Sequence, residues 1–337
     1  VFSSTMNSQV MDLYTRLGMR HSKVYYCFDG ATALVSAMLN VNYMFGESDR
    51  YACSLYTELA SSGDVYLYEC NATLPFGFCV PVGYDLPEGY EYQALRLQNS
   101  MAEEFGASGK LFERAAEKKS GDDVVFTTDR GGIYYGLLTA SGTKKVECIG
   151  GSRDEEMFSD LRRGGILYLG YVEAGQTVTL TNGDEEDETP SIGVDIYRLN
   201  QEVLEETLAL LGRQHLENVV WKSDFISGEI RLEEAGRMVL SVPWEEGWDV
   251  TINGEKTEPE LLGGCLMAFD LEPGDYELEM KYRPAGAAAG GIVSGVSIVL
   301  FLVLTFRGRI LPSLRSRCCR DRADENNDTR DVPDESP

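Results

Sequence analysis

Histidine is nearly missing from these 337 residues: His21 and His215 are the whole complement. The eight cysteines contain no C-x-x-C pair, so a zinc-type cluster is excluded. G-x-S-x-G, the P-loop and H-E-x-x-H are absent, and the Gly-Gly pairs at 131–132, 150–151, 164–165 and 263–264 read as ordinary turns. No catalytic, cofactor-binding or metal-binding residue is therefore assigned to this sequence. Basic residues are scarce, with 30 Lys and Arg against 55 Asp and Glu and a formal net charge of −25. That balance argues against nucleic acid or an anionic polymer as an electrostatic partner. The acidic run Asp184-Glu185-Glu186-Asp187 reads as a solvated loop rather than a cation site.

Charge vanishes altogether over 285–306, AGAAAGGIVSGVSIVLFLVLTF. A run of this length matches the roughly 20 residues that a helix needs to cross a bilayer. Arg307, Arg309, Arg315, Arg317, Arg320 and Arg322 follow it with only Asp321 opposing them. The positive-inside bias then predicts a cytoplasmic tail at 307–337 and an extracytoplasmic position for residues 1–283, with the lipid bilayer as a partner. The opening VFSSTMNSQVMDLYTRLG carries neither a basic n-region nor an apolar h-region. The expectation is that export depends on preceding membrane helices of a longer protein. Gly286 with Gly290, and Gly291 with Gly295, are small-residue spacings that suit close approach of another helix. Cys318 and Cys319 leave palmitoylation and a plain juxtamembrane pair both open, and ADENNDTRDVPDESP reads as a disordered tail.

The chain as a whole is 43% hydrophobic and 10% aromatic, which predicts packed interiors. The pattern reads as an α+β fold: a small mixed α/β domain at 1–90, a helical linker at 91–120, a mostly antiparallel β-sandwich-like domain at 121–283, and one C-terminal transmembrane helix. In the first domain, helical spacing at 8–19 and 30–39 alternates with strand-like runs VYYCF, VNYMF and VYLYEC. The linker predicts two short helices, broken at 106–109. In the second domain, strand candidates such as GIYYGLL, ILYLGYV and QTVTLTN are interrupted by one helix that Asn200 can cap. Asn253-Gly254 predicts a type I′ hairpin turn. Buried free thiols are the favoured state of the outer cysteines, with a Cys70–Cys79 disulfide as the alternative.

Aromatic side chains are the candidate binding features. Trp244, Tyr134 and Tyr135 lie on β segments, and flat apolar faces with a polar edge suit stacking on sugar rings. Trp248 shares a strand face with Val250 and Ile252 and reads as core; packing is an open alternative for Trp244 as well. Asn71-Ala72-Thr73 fits a glycosylation sequon, read here as coincidence.

The passage SVPWEEGWDVTINGEK, followed by GGCLMAFDLEPGDYELEMKYRPAGAAAG running into the apolar stretch, resembles the C-terminal end of the YfhO family of bacterial membrane proteins. FDGATALVSAMLNVNYMFG, VYLYECNATLPFGFCV, LRLQNSMAEEFGASGKLFERA and VDIYRLNQEVLEETLALL agree in order, so the resemblance covers nearly the whole chain. It implies a polytopic parent of the glycosyltransferase-C type in the bacterial cell membrane. Such a parent takes sugar from a polyprenyl-phosphate carrier and decorates a cell-envelope glycopolymer such as lipoteichoic acid. The resemblance puts the acidic catalytic residue, and any divalent metal, in an early external loop outside this sequence. No residue here inherits that role. The alternative from another class is a membrane-anchored, non-enzymatic β-sandwich binding or adhesion module.

Overall fold

The structure, a computed structural model, describes residues 6–22, 24–47, 51, 53–151, 155–184 and 192–324. The first elements are α1 (Ser8–Leu17), α2 (Ala33–Met38), β1 (Tyr43–Glu47), β2 (Tyr56–Ser62), β3 (Val65–Cys70), β4 (Phe78–Val80), α3 (Ala94–Glu104), β5 (Phe112–Arg114) and β6 (Glu117–Ser120). Next come β7 (Asp123–Thr127), β8 (Gly132–Leu138), β9 (Val146–Ile149), β10 (Glu155–Phe158), β11 (Ile166–Val172), β12 (Thr177–Asn182), β13 (Val194–Leu199) and α4 (Gln201–Leu211). The chain ends with β14 (Glu217–Lys222), β15 (Phe225–Leu232), β16 (Gly236–Pro243), β17 (Trp248–Ile252), β18 (Glu255–Lys256), β19 (Glu260–Leu262), β20 (Leu266–Leu271), β21 (Gly274–Tyr282) and α5 (Ala287–Asp324). The fold is the expected mixture: mostly antiparallel sheet, five helices among the described residues, and one long apolar C-terminal helix.

Two compact units result, 1–281 and 282–337. In the first, sheet β10-β9-β12-β7-β6 faces sheet β11-β8-β13-β5, and their inner residues (Phe126, Val178 and Leu180 against Tyr134, Leu167 and Ile196) form one core. Sheet β14-β15-β21-β17-β18 faces β19-β20-β16-β4 in the same way, with Ile226, Val250 and Met280 against Met238, Leu240 and Phe269. The strands of 121–283 are thus shared between two sandwiches. A third core lies where the outer faces of β8 and β16 turn towards α1–α4, drawing in Tyr135, Tyr168, Val239 and Ala268 together with Leu17, Leu34, Leu95 and Leu204. Successive strand residues point to opposite faces, so a strand covered on both sides is buried throughout. Every position of β8 is buried for that reason.

Several local expectations hold. Asn200 accepts from Val203 N at 3.4 Å at the start of α4, and Asn253 (φ 52°) with Gly254 (φ 78°) turns β17 into β18. Trp248 packs on the second sandwich core beside Val250 and Ile252.

Others are corrected. VYYCF is not a strand; it closes a tight loop through Cys27 N to Arg20 O (3.1 Å), with an isolated bridge between His21 and Tyr26. The second linker helix does not form. Gly106 (φ 97°) stops α3, and the Asn99 side chain accepts from Phe112 N (2.6 Å) and donates to Phe112 O (2.9 Å), which delivers that stretch to β13 as a strand. The six cysteines before the apolar run are free, and Cys70 and Cys79 sit in different sheets. Burial raises the thiol pKa values of Cys70 and Cys265 to about 11 and those of Cys79 and Cys148 to about 12.

The second unit is described by α5, which starts after Gly286 (φ 80°), just inside the apolar run. Its stretch Ala287–Phe306 has mean hydropathy 2.4 and is long and apolar enough to cross a membrane. The arginine side chains after it, those of Cys318 and Cys319, residues 185–187 of the acidic run and the tail from 325 lie outside the described residues.

Candidate functional site

Two cavities lie side by side on the first unit, of about 510 and 310 Å³, and both are lined by Tyr92 and Arg163. Ligand pockets commonly occupy about 300–1,000 Å³. Tyr92 sits in the turn just before α3 with φ 61° and is 49% exposed. A ring-bearing residue in the left-handed region costs about 1–3 kcal/mol and persists only where its surroundings impose that conformation.

The surroundings here are identifiable. Gly164 (φ 84°) packs directly on Tyr92, and a Cβ at that glycine would lie 2.8 Å from Tyr92 Cα. The turn carrying it is pinned to β8, since Gly164 N donates to Leu138 O at 2.7 Å and Leu138 N donates to Gly165 O at 3.0 Å. Arg163, next to that glycine, places its guanidinium 4.9 Å from the Tyr92 ring centroid, within cation–π range.

The larger cavity gathers cations from three further places. Arg96, in the first turn of α3, donates to Gln93 Oε1 at 2.6 Å. Lys110 and Arg114 flank Phe112, which the Asn99 clamp holds in place. Arg114 is satisfied, with Glu117 and Asp195 each at 2.8 Å. The hydrogen bond to Glu117 is the main reason its pKa rises. Among the described residues, Arg96, Lys110 and Arg163 have no carboxylate partner. Phe112, Leu137 and Tyr197, each at most 5% exposed, provide an apolar floor. Burial, with Asp195 adding to it, raises the Tyr197 phenol pKa. In the smaller cavity Arg20 is paired with Asp29 (3.4 Å) and donates to Ser159 O (3.0 Å), while Arg162 and Arg163 line the far wall.

This arrangement suits holding a ligand. It presents an aromatic ring, an apolar floor and guanidinium donors. Among the described residues no group of three or more metal-ligating side chains occurs.

The aromatic residues singled out from sequence lie elsewhere. Tyr134 (1% exposed) is in the first sandwich core, its hydroxyl donating to Arg130 O at 2.7 Å, and Tyr135 (0%) is in the helix-lined core. Neither ring has a face open to a ligand. Trp244 is half-buried against the second sandwich core, and none of the three lines either cavity. The residues that do meet, Tyr92, Arg96, Lys110 and Arg163, were not legible as a group. One local signal existed: Arg162-Arg163-Gly164-Gly165 is a basic pair beside a glycine pair in an acidic chain. Read alone, it is a turn.

Fold and composition define the class first: a β-rich unit whose chain continues into a helix with the length and hydropathy of a membrane span. Residues 149–294, from the end of β9 into α5, match the family model described as bacterial membrane protein YfhO. The chain is also 23% identical over 107 residues to the uncharacterized protein YfhO of Bacillus subtilis (strain 168), an alignment covering 32% of this chain and 12% of that protein's length. These two matches support assignment of the chain to the YfhO family. Among solved structures, a glycoside hydrolase 29 family member from an unknown rumen bacterium is 13% identical, with 57% of this chain and 42% of that chain covered and a TM-score of 0.24. A GH2 beta-galacturonidase from Eisenbergiella tayi, bound to glycerol, is 10% identical, with 72% and 37% covered and a TM-score of 0.17. Scores this low carry no argument.

Proposed function

We propose that the chain is the C-terminal extracytoplasmic region and last membrane helix of a YfhO-like integral membrane glycosyltransferase. On this reading the parent transfers sugar from a polyprenyl-phosphate carrier to a cell-envelope polymer such as lipoteichoic acid. The support is the family match, which runs through the second sandwich and into the apolar helix. The described residues take the part of a holding domain, since the cavities around Tyr92 offer binding surfaces and the resemblance assigns the catalytic acid elsewhere.

The test is to delete the full-length gene in its bacterial host and analyse the envelope polymers by mass spectrometry and NMR. Loss of a sugar substituent, restored by the gene in trans, is the expected result. Fully decorated polymers in the deletion strain would remove the transferase reading and favour a binding module.

A further inference from the structure

We infer that the cleft meeting at Tyr92 and Arg163 is a binding site for an anionic sugar unit, a pyranose bearing a phosphate or a carboxylate. The anionic part of this assignment rests on geometry; the sugar part rests also on the transferase reading above.

Exposed arginines are usually no more than solvated surface, and three observations separate these from that background. First, they converge. Arg96 comes from α3, Lys110 from the loop before β5 and Arg163 from the turn before β11, yet all line one cavity. Second, they are unpaired where pairing would be easiest. Acidic residues outnumber basic ones 55 to 30 in this chain, but these three cations have no carboxylate partner among the described residues. With Arg114 they outnumber the carboxylates of the same cavity, Glu91 and Asp195, and such a locally positive lining draws anions without making the whole molecule a polyanion binder. Third, the ring at its centre is held in a left-handed conformation by a glycine packed against it, and strain of that kind gathers at ligand-binding positions.

The chemistry of the ligand follows from the donors. A guanidinium presents paired N–H groups that match the two oxygens of a carboxylate or phosphate. The partly exposed face of Tyr92, 49% accessible, suits the C–H side of a sugar ring. Phosphate and carboxylate share this geometry, so the probes must separate them.

The experiment uses the full chain reconstituted in nanodiscs, with binding followed by calorimetry and saturation-transfer NMR. The probes are glucose 1-phosphate, glucuronate, glucose and inorganic phosphate. At least one of the two anionic sugars is expected to bind at least tenfold more tightly than glucose and inorganic phosphate, and which one does so identifies the charged group. R163Q and R96Q should each weaken it at least fivefold, and binding should weaken with added salt. K118Q, on the exposed strand β6 outside the cleft, should leave affinity unchanged. Glucose binding as tightly as both anionic sugars would overturn the role of charge. Inorganic phosphate binding as tightly as the sugars would overturn the role of the Tyr92 ring. No binding by either anionic sugar, or binding indifferent to R163Q and R96Q, would overturn the site. Because the assay measures binding without turnover, its failure is distinct from failure of the gene-deletion test.

Discussion

At the scale of single residues, Arg237 is a guanidinium buried in the first unit. Its side chain is 5% exposed, and it donates to Asp270 at 2.7 and 2.6 Å, to Tyr84 O at 3.0 Å and to Glu260. A buried cation is tolerated only while its acceptors remain, because removing one partner leaves an uncompensated charge. Asp270→Ala should therefore destabilise the chain by about 3 kcal/mol, the low end for breaking a buried pair, since Glu260 and the Tyr84 carbonyl still accept. Denaturant unfolding followed by tryptophan fluorescence measures this. The hydrogen bond from Arg237 holds the Asp270 carboxyl below its usual range. Its stabilisation is thus complete above the ordinary carboxylate pKa of about 3.9 and is lost as pH falls through the lower folded value. Asp270→Asn should flatten the acid limb of the stability profile, and an unchanged limb would mean that other carboxylates set it.

Elements explain why the cleft has the shape it has. Tyr92 ends one segment, Gly164 and Arg163 sit in the turn between β10 and β11, and backbone bonds to β8 fix that turn where Gly164 packs on Tyr92. Gly164→Ala adds a Cβ where there is no room and at a φ that suits glycine, so a loss of about 2 kcal/mol is expected. Tyr92→Asn places a residue that accepts the left-handed region at low cost and should gain about 1 kcal/mol while removing the ring. Melting temperatures of the two variants should move in opposite directions. A neutral Gly164→Ala would show that this packing does not impose the conformation of Tyr92. The linker carries a related lesson. A second short helix was expected beyond Gly109, but the Asn99 side chain satisfies the backbone of Phe112 and strand β13 pairs with the rest. A tertiary partner for the backbone outweighed a weak helical preference.

On the scale of the whole molecule, charge distribution sets the remaining expectations. The net charge of −25 disfavours polyanions in bulk, while the cleft reverses the sign over a small area. Both statements hold together because fields from exposed charges fade over about 10 Å at 0.1 M salt. The arginines after the apolar helix predict a cytoplasmic tail. Protease added to protoplasts should then remove the epitopes of residues 1–281 and spare a tag at the C-terminus; the reverse pattern would invert the orientation.

The sequence by itself determined the apolar helix, most strands, the Asn253-Gly254 turn and the family resemblance. Each depends on neighbours along the chain: lipid solvates an uncharged run wherever it is, and a turn type follows from two residues. Only the tertiary structure decided which aromatic rings reach solvent. Alternation identifies the apolar face of a strand but not whether a second layer covers the other face, and it was that second layer which put Tyr134 and Tyr135 into two separate cores. The cleft was decided the same way. Tyr92, Arg96, Lys110 and Arg163 come from distant segments, and packing of Gly164 on Tyr92 is what makes them one site.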